Sequence, residues 1–278
     1  MIDAHAHISS SDLSKDTEGV VIRARRNKIL KIVDSAIDLQ SSKIALKKFL
    51  KYPDILIPTI GIHPEIVTPG SDIFQKNFSF DEQEFVQLFE KGKEKYKAVG
   101  ECGLDYYWLE KNTGLTIEKK EDAKNKQREL LSFLIDFALK VQLPLVIHSR
   151  GAENECFDII KKQVGDTVNV LFHCFTGDIK IIQYILENGY FVSFNNILSY
   201  PSAGDIRKLL EFGWKHYRHL ILTETDAPFL PPQERREQQS EPTDVSYVLR
   251  KISKITQESE DNVEKITMDN ALLFFNLS

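Results

Sequence analysis

Hydrophobic and polar positions alternate along the 278-residue chain in two rhythms. Short apolar runs rich in β-branched residues recur at Ile2–Ile8, Ile29–Ile37, Ile55–Ile62, Ala98–Leu104, Leu145–His148, Val168–Cys174, Tyr190–Phe194 and His219–Thr225. Between them lie stretches with the 3.6-residue period of amphipathic helices, among them Asp81–Lys95, Lys120–Val141, Asn154–Gln163, Ile179–Glu187 and Ala203–Phe212. Near-continuous hydrophobicity within each short run fits strands of a parallel sheet buried on both faces. Eight such strands, each followed by helical material, predict an α/β fold of the (β/α)8 TIM-barrel type, one domain over residues 1–278. An open doubly wound sheet is the alternative, but it gathers first-strand and last-strand residues less readily. Two polar segments, Trp108–Lys126 and Pro228–Glu241, read as surface excursions after the fourth and eighth strands, and the tail Asp244–Ser278 as two helices on the barrel exterior.

The downstream ends of these strands carry the chemistry. His5, His7, Glu101, His148, His173 and Asp226 all fall at or within a residue or two of a strand end, and His63 follows the third strand. Barrels of this type place their reactive groups at the C-terminal ends of the strands. His5 and His7 are two residues apart, so the strand period turns both rings toward the same side. Histidines beside apolar strands need polar partners, and shared metal ions satisfy several at once. Mixed nitrogen and carboxylate ligands suit zinc, manganese or iron, while magnesium prefers more oxygen.

Six ligands exceed the needs of one tetrahedral ion, so two divalent ions (Mg, Mn or Zn) are expected. His5, His7 and Asp226 are assigned to one, His148 and His173 to the other, with Glu101 bridging. Two ions about 3.5–4 Å apart can hold an attacking water and clamp both oxygens of a phosphoryl displacement. Asp226 is also placed to take the proton of that water.

Other residues have more than one reading. His63 is a substrate or phosphate contact, or a loop imidazole capping the next turn. Arg150 offers a guanidinium fork for phosphate oxygens, or forms a structural ion pair. Glu224 shares a face with Asp226 but lies deeper; it belongs with the substrate contacts, orients a ligand histidine, or is a buried hydrogen bonder. Tyr106, within Asp105-Tyr106-Tyr107-Trp108, belongs to a base-stacking platform or packs its loop. Cys102 and Cys174 directly follow proposed ligands and, on a strand, would face the opposite way into the core.

Composition narrows the partners. A formal net charge of −5, from 41 acidic and 36 basic residues, argues against broad wrapping of duplex nucleic acid. It leaves a phosphate substrate open, because bound divalent cations reverse the local sign of a cleft. The three cysteines show no paired spacing. No leader pattern or long apolar run is apparent, so the expectation is a soluble cytoplasmic protein without membrane or obligate protein partner.

Six ordered elements carry a family resemblance: Asp3-Ala4-His5-Ala6-His7, Gly61-Ile62-His63-Pro64, Gly100-Glu101-Cys102-Gly103-Leu104-Asp105-Tyr106, Ile147-His148-Ser149-Arg150, Phe172-His173-Cys174-Phe175-Thr176-Gly177 and Glu224-Thr225-Asp226-Ala227-Pro228. Through them the chain resembles the TatD family of metal-dependent deoxyribonucleases, within the wider amidohydrolase-like barrel group. The resemblance implies a (β/α)8 barrel that hydrolyses DNA phosphodiesters and trims single-stranded 3′ ends. It implies the metal ligands His5, His7, Glu101, His148, His173 and Asp226, with His63 and Arg150 where members hold substrate phosphate. Three stretches depart from the family pattern. Ile8-Ser9-Ser10 replaces a leucine–aspartate pair, Asn195-Asn196 replaces Ser-Gly, and Gln239-Ser240-Glu241-Pro242 lacks an arginine for which Arg235 or Arg236 is a substitute. All three flank the substrate rather than the metals.

Competing classes remain at this stage. A metal-dependent ester or amide hydrolase, such as a D-aminoacyl-tRNA deacylase, uses similar ligands. Ring-opening amidohydrolases, however, usually bridge their metals with a carboxylated lysine where this chain has Glu101. A scaffold that lost catalysis would lack ligands, and all six are present. A phosphatase of the other His-x-His barrel type would not explain the elements around His173 and Asp226.

Overall fold

Parallel pairing begins in all eight predicted runs. The strands are β1 (Ile2–Ala6), β2 (Lys31–Asp34), β3 (Leu56–Pro58), β4 (Val99–Asp105), β5 (Leu145–Arg150), β6 (Val170–Phe172), β7 (Phe191–Phe194) and β8 (Ile221–Thr223). This computed structural model describes residues 1–277, and Ser278 of the expected tail lies outside them. The strands form two continuous ladders, β1-β2-β3 and β4-β5-β6-β7-β8. Two seams join the ladders into a closed barrel, through isolated bridges between Ile60 and Val99 and between Ala6 and Ala227. At the first seam the Ile60 N–H donates to Ala98 O (3.2 Å) and Ile60 O accepts from Gly100 N (2.8 Å). At the second, His7 N donates to Ala227 O (2.7 Å) and Asp226 N to His5 O (2.9 Å). The second seam therefore ties the first ligand strand to the last. Strand residues are buried on both faces, as the apolar runs require.

The helices are α1 (Thr17–Arg26), α2 (Leu39–Lys51), α3 (Glu82–Gly92), α4 (Tyr107–Lys111), α5 (Ile117–Val141), α6 (Glu153–Gln163), α7 (Ile179–Glu187), α8 (Gly204–Tyr217), α9 (Val245–Thr256) and α10 (Glu260–Phe274). Side-chain caps fix several starts: Asp38 accepts from Ser41 N, Thr116 from Lys119 N and Ser259 from Asn262 N. The Thr116 cap corrects one expectation. Most of Trp108–Lys126 is helical, as α4 and the first turns of α5, and only residues 112–116 between them are loop. The tail helices α9 and α10 pack against the barrel, where Asn270 Nδ2 donates to Arg218 O (2.8 Å) and Ile221 O (2.7 Å). Among the described residues, no helix is long and apolar enough to cross a membrane.

Two glycines let the strands meet closely under the mouth. A Cβ on Gly103, at φ +146°, would overlap the carbonyl oxygen of His148, and one on Gly61 would overlap the Gly100 carbonyl. Glycine at 103 thus permits the β4–β5 approach that sets Glu101 beside His148.

Candidate metal centre

The fold brings all six predicted ligands to one end of the barrel, around the carboxylate of Glu101. That residue is 1% exposed, so its two oxygens must be satisfied by the site itself. Oε1 lies 2.7 Å from His173 Nε2, 2.9 Å from His148 Nδ1 and 3.1 Å from His63 Nε2. Oε2 faces the other way, 3.2 Å from His5 Nε2 and 3.4 Å from His7 Nε2. Asp226 Oδ1 closes that second group at 3.2 Å from His7 Nε2 and 3.8 Å from His5 Nε2. Asp226 reaches it from a left-handed backbone conformation, φ +59°, just past β8.

Hydrogen bonds behind the rings decide which nitrogens are free. His7 Nδ1 lies 3.0 Å from Ser35 O, an acceptor only, so Nδ1 carries the proton and Nε2 presents a lone pair. His173 Nδ1 faces Glu224 Oε1 (3.4 Å), which leaves its Nε2 toward Glu101. His148 Nε2 faces Asp105 Oδ2 (2.9 Å), which leaves its Nδ1 toward Glu101. His63 is the opposite case. Its Nδ1 accepts from the Glu65 N–H (3.2 Å), so a neutral ring carries its proton on Nε2 and is a donor. His63 is therefore built to give a hydrogen bond.

The donor set fits divalent cations. His5 Nε2 and His7 Nε2 face each other at 3.2 Å, and in a neutral His7 the Ser35 contact leaves Nε2 without a proton to give. Glu101 Oε2 is buried without a well-directed hydrogen bond, and His5 Nδ1 is buried without any partner. A cation shared by His5, His7, Asp226 and Oε2, and another by His148, His173 and Oε1, would satisfy lone pairs that otherwise oppose one another.

The electrostatics point the same way. Burial pushes the Glu101 carboxyl up, but the imidazoles of His173, His63 and His5 outweigh it and hold the group well below its usual range. Asp226 is likewise held low by His7, His5 and His173 against the cost of burial. Burial lowers His5. For His148 burial acts downward too, yet Asp105 and Glu101 raise it to about 9. The carboxylates thus demand positive charge in the mouth.

The remaining candidates separate. Arg150 is half-buried at the rim, its guanidinium 3.8 Å from the centre of the Tyr107 ring and 5.7 Å from that of Trp108. It has no ion-pair partner among the described residues, so the alternative of a structural salt bridge falls away. Tyr106 is corrected: its ring is 6% exposed and packed in the core, while the aromatics at the rim are Tyr107 and Trp108. Glu224 is corrected as a substrate contact, because it is fully buried behind His173 and accepts from Ser193 Oγ (2.5 Å). Cys102 lies in the core as expected. Cys174 does not; a φ of +45° carries it out of strand geometry, and Asn195 Nδ2 donates to its sulfur at 3.0 Å.

Asp105 was not singled out, although it stands four residues beyond Glu101 on β4 and the period of two places both on one face. That parity was its signal. Glu65, which accepts from Trp108 Nε1 (3.0 Å), carried no such signal; burial and the neighbouring Asp105 push it up to about 7. Ser9 donates through its N–H (2.9 Å) and hydroxyl (2.5 Å) to Asp34 at the end of β2. The Asp34 carboxylate thus sits beside this loop.

Comparison with known proteins agrees with this geometry. The family described as TatD related DNase matches residues 2–276. The uncharacterized metal-dependent hydrolase YabD of Bacillus subtilis is 27% identical over 278 residues, covering 100% of both chains. The human deoxyribonuclease TATDN3 is 27% identical over 280 residues, covering 99% of this chain and 94% of its own. Among solved structures, the TatD homologue YJJV from Escherichia coli superposes with a TM-score of 0.84 at 24% identity, covering 100% of this chain and 98% of its own. The chain belongs to the TatD-related DNase family and is a metal-dependent hydrolase with the (β/α)8 fold.

Proposed function

We propose that this TatD-family hydrolase cleaves phosphodiester bonds of single-stranded DNA from the 3′ end, with two divalent cations held at the mouth of the barrel. The observation that carries the reading is the division of Glu101, whose two oxygens face two separate sets of ring nitrogens. His5, His7 and Asp226 would hold one cation, His148 and His173 the other, and Glu101 would bridge them. Such cations lower the pKa of a coordinated water and neutralise charge on the phosphoryl oxygens. The DNA substrate is supported by the family's description and by the name of the human relative.

The chain's own groups account for the rest of the reaction. Water adds to phosphorus as the bond to the 3′ oxygen breaks, so one proton leaves the nucleophile and solvent water supplies one to the departing oxygen. Asp226, held ionised beside His7, is the acceptor for the first. His63, with its donor nitrogen aimed into the mouth, is suited to bind a phosphate oxygen. Arg150 presents the edge of its guanidinium while its face is covered by Tyr107, the geometry for a forked contact to phosphate.

The test is a digest of 3′-labelled and 5′-labelled single-stranded DNA by metal-stripped protein, with magnesium, manganese or zinc restored in turn. Stepwise loss of nucleotides from the 3′ end, abolished in Asp226→Ala, is expected. DNA left intact under every metal would overturn the reading and turn attention to aminoacyl esters.

A further inference from the structure

The loop after β8 brings a second group of side chains to the mouth, none of them a metal ligand. Phe229 is 57% exposed, with its ring centre 5.8 Å from that of His7 and the two planes inclined at 69°. Such exposure forfeits the burial free energy of a large aromatic ring, so the position is not set by core packing. The backbone holds it there. Phe229 N donates to Asp226 O (2.9 Å), and Ser240 N reaches back to Pro228 O (3.0 Å) to pin the loop.

The same loop supplies a cation. Arg235 is consumed, bonded to the buried carboxylate of Asp244 (2.6 Å) and to Gln238 (2.8 Å). Arg236 is exposed and has no ion-pair partner among the described residues; its guanidinium lies 4.0 Å from the centre of the Tyr200 ring. The Tyr200 hydroxyl donates to Pro231 O (2.9 Å), which fastens ring and loop together. Burial holds the Tyr200 phenol above its ordinary value, against the opposing charge of Arg236. A guanidinium stacked on a ring keeps N–H groups at its edge for a further acceptor.

We propose that Phe229 and the Arg236–Tyr200 pair form a nucleotide subsite on the β7–β8 side of the mouth, with a nucleobase stacked on Phe229 and a neighbouring phosphate on Arg236. The subsite rests on the nuclease reading and deepens it. Base–aromatic stacking tolerates every base, which suits an enzyme that trims ends without reading sequence. Phe229 is three residues from Asp226 and touches His7, so its base belongs to the nucleotide at the scissile phosphate. Arg236, farther out along the loop, meets the next phosphate.

The experiment compares kcat/KM for a single-stranded oligothymidylate with that for an oligomer of equal length whose terminal nucleotides are abasic. Wild type is expected to favour the base-bearing oligomer about tenfold, the order that one stacked base supplies. Phe229→Ala should erase that preference through KM, and Phe229→Trp should restore it. Arg236→Gln should raise KM for both oligomers and flatten the salt dependence of binding by about one phosphate contact. A preference unchanged in Phe229→Ala, or equal losses on both oligomers, would overturn the subsite while leaving the nuclease intact. Wild type inert on both oligomers under every metal would instead overturn the nuclease reading beneath it.

Discussion

The two halves of the centre are built differently. His5, His7 and Asp226 sit on the seam between β1 and β8, where pairing is a single isolated bridge and its flanking hydrogen bonds. Glu101, His148 and His173 sit inside the five-stranded ladder. The backing of the rings differs as well. His7 leans on a neutral carbonyl, Ser35 O, and His5 Nδ1 on nothing, whereas His148 and His173 are each backed by a buried carboxylate, Asp105 and Glu224. A carboxylate behind an imidazole fixes its tautomer and raises its basicity as a ligand. On the two-cation proposal, the ladder half would hold its cation more tightly than the seam half, and the seam half would exchange more readily.

The change that should damage both halves alike is Glu101→Gln. One amide oxygen cannot serve two cations, and the amide NH2 would confront one set of ring nitrogens. Activity should fall by more than about a hundredfold, beyond the effect usual for an orienting partner alone. Metal content by elemental analysis should drop in both halves. Loss confined to one cation would break the bridge and, with it, the comparison.

Asp105→Asn should act on the ladder half alone. Asp105 Oδ2 receives the His148 Nε2 proton and Oδ1 the Tyr107 N–H (2.9 Å), so both partners are donors. Asparagine offers a single acceptor oxygen, and one donor would be left facing an amide NH2. Titration of metal-stripped protein with cobalt should show one site weakened about ten- to a hundredfold and the other unmoved. Equal weakening of both would mean that Asp105 supports the barrel in general rather than His148.

What was legible in the chain follows the same division. Ligands at strand ends could be read because burial makes each strand an apolar run and a barrel gathers the ends of such runs. Asp226 lies 3.8 Å from His5 although 221 positions separate them in sequence, as closure of any eight-stranded barrel requires. Contacts behind the ligands were unevenly legible: Glu224 shares a face with Asp226 and Asp105 shares the parity of Glu101, but Ser35, a backbone acceptor, carries no such spacing. The rim was least legible. Whether Tyr106 or Tyr107 faces the mouth depends on where α4 begins, and Cys174 left the core through a backbone turn that no apolar pattern records. Arg235 and Arg236 are adjacent and chemically identical, yet a buried Asp244 claims one of them.

Protonation supplies the smallest effect. In metal-stripped protein the ladder half carries His148 raised to about 9; on the seam burial lowers His5, while Asp226 and Glu101 hold His7 above its ordinary value against burial. An unfolded histidine titrates near 6.5. A folded value above the unfolded one means that the group stabilises the fold fully below about 6.5. That contribution is lost as pH rises through about 9. The carboxylates held low, Glu101 and Asp226, stay ionised throughout this window and contribute no slope. Chelator-treated protein should therefore melt a few degrees lower at pH 9 than at pH 6, since about 1 kcal/mol corresponds to 2–4 °C in a chain of this class. Saturating metal should remove the difference, because ligand histidines are then neutral at either pH. In Asp105→Asn the pH slope of the stripped protein should shrink, for the carboxylate that raises His148 is gone. An unchanged slope would mean that Glu101 alone holds that proton, and that the two halves differ less in their backing than their hydrogen bonds indicate.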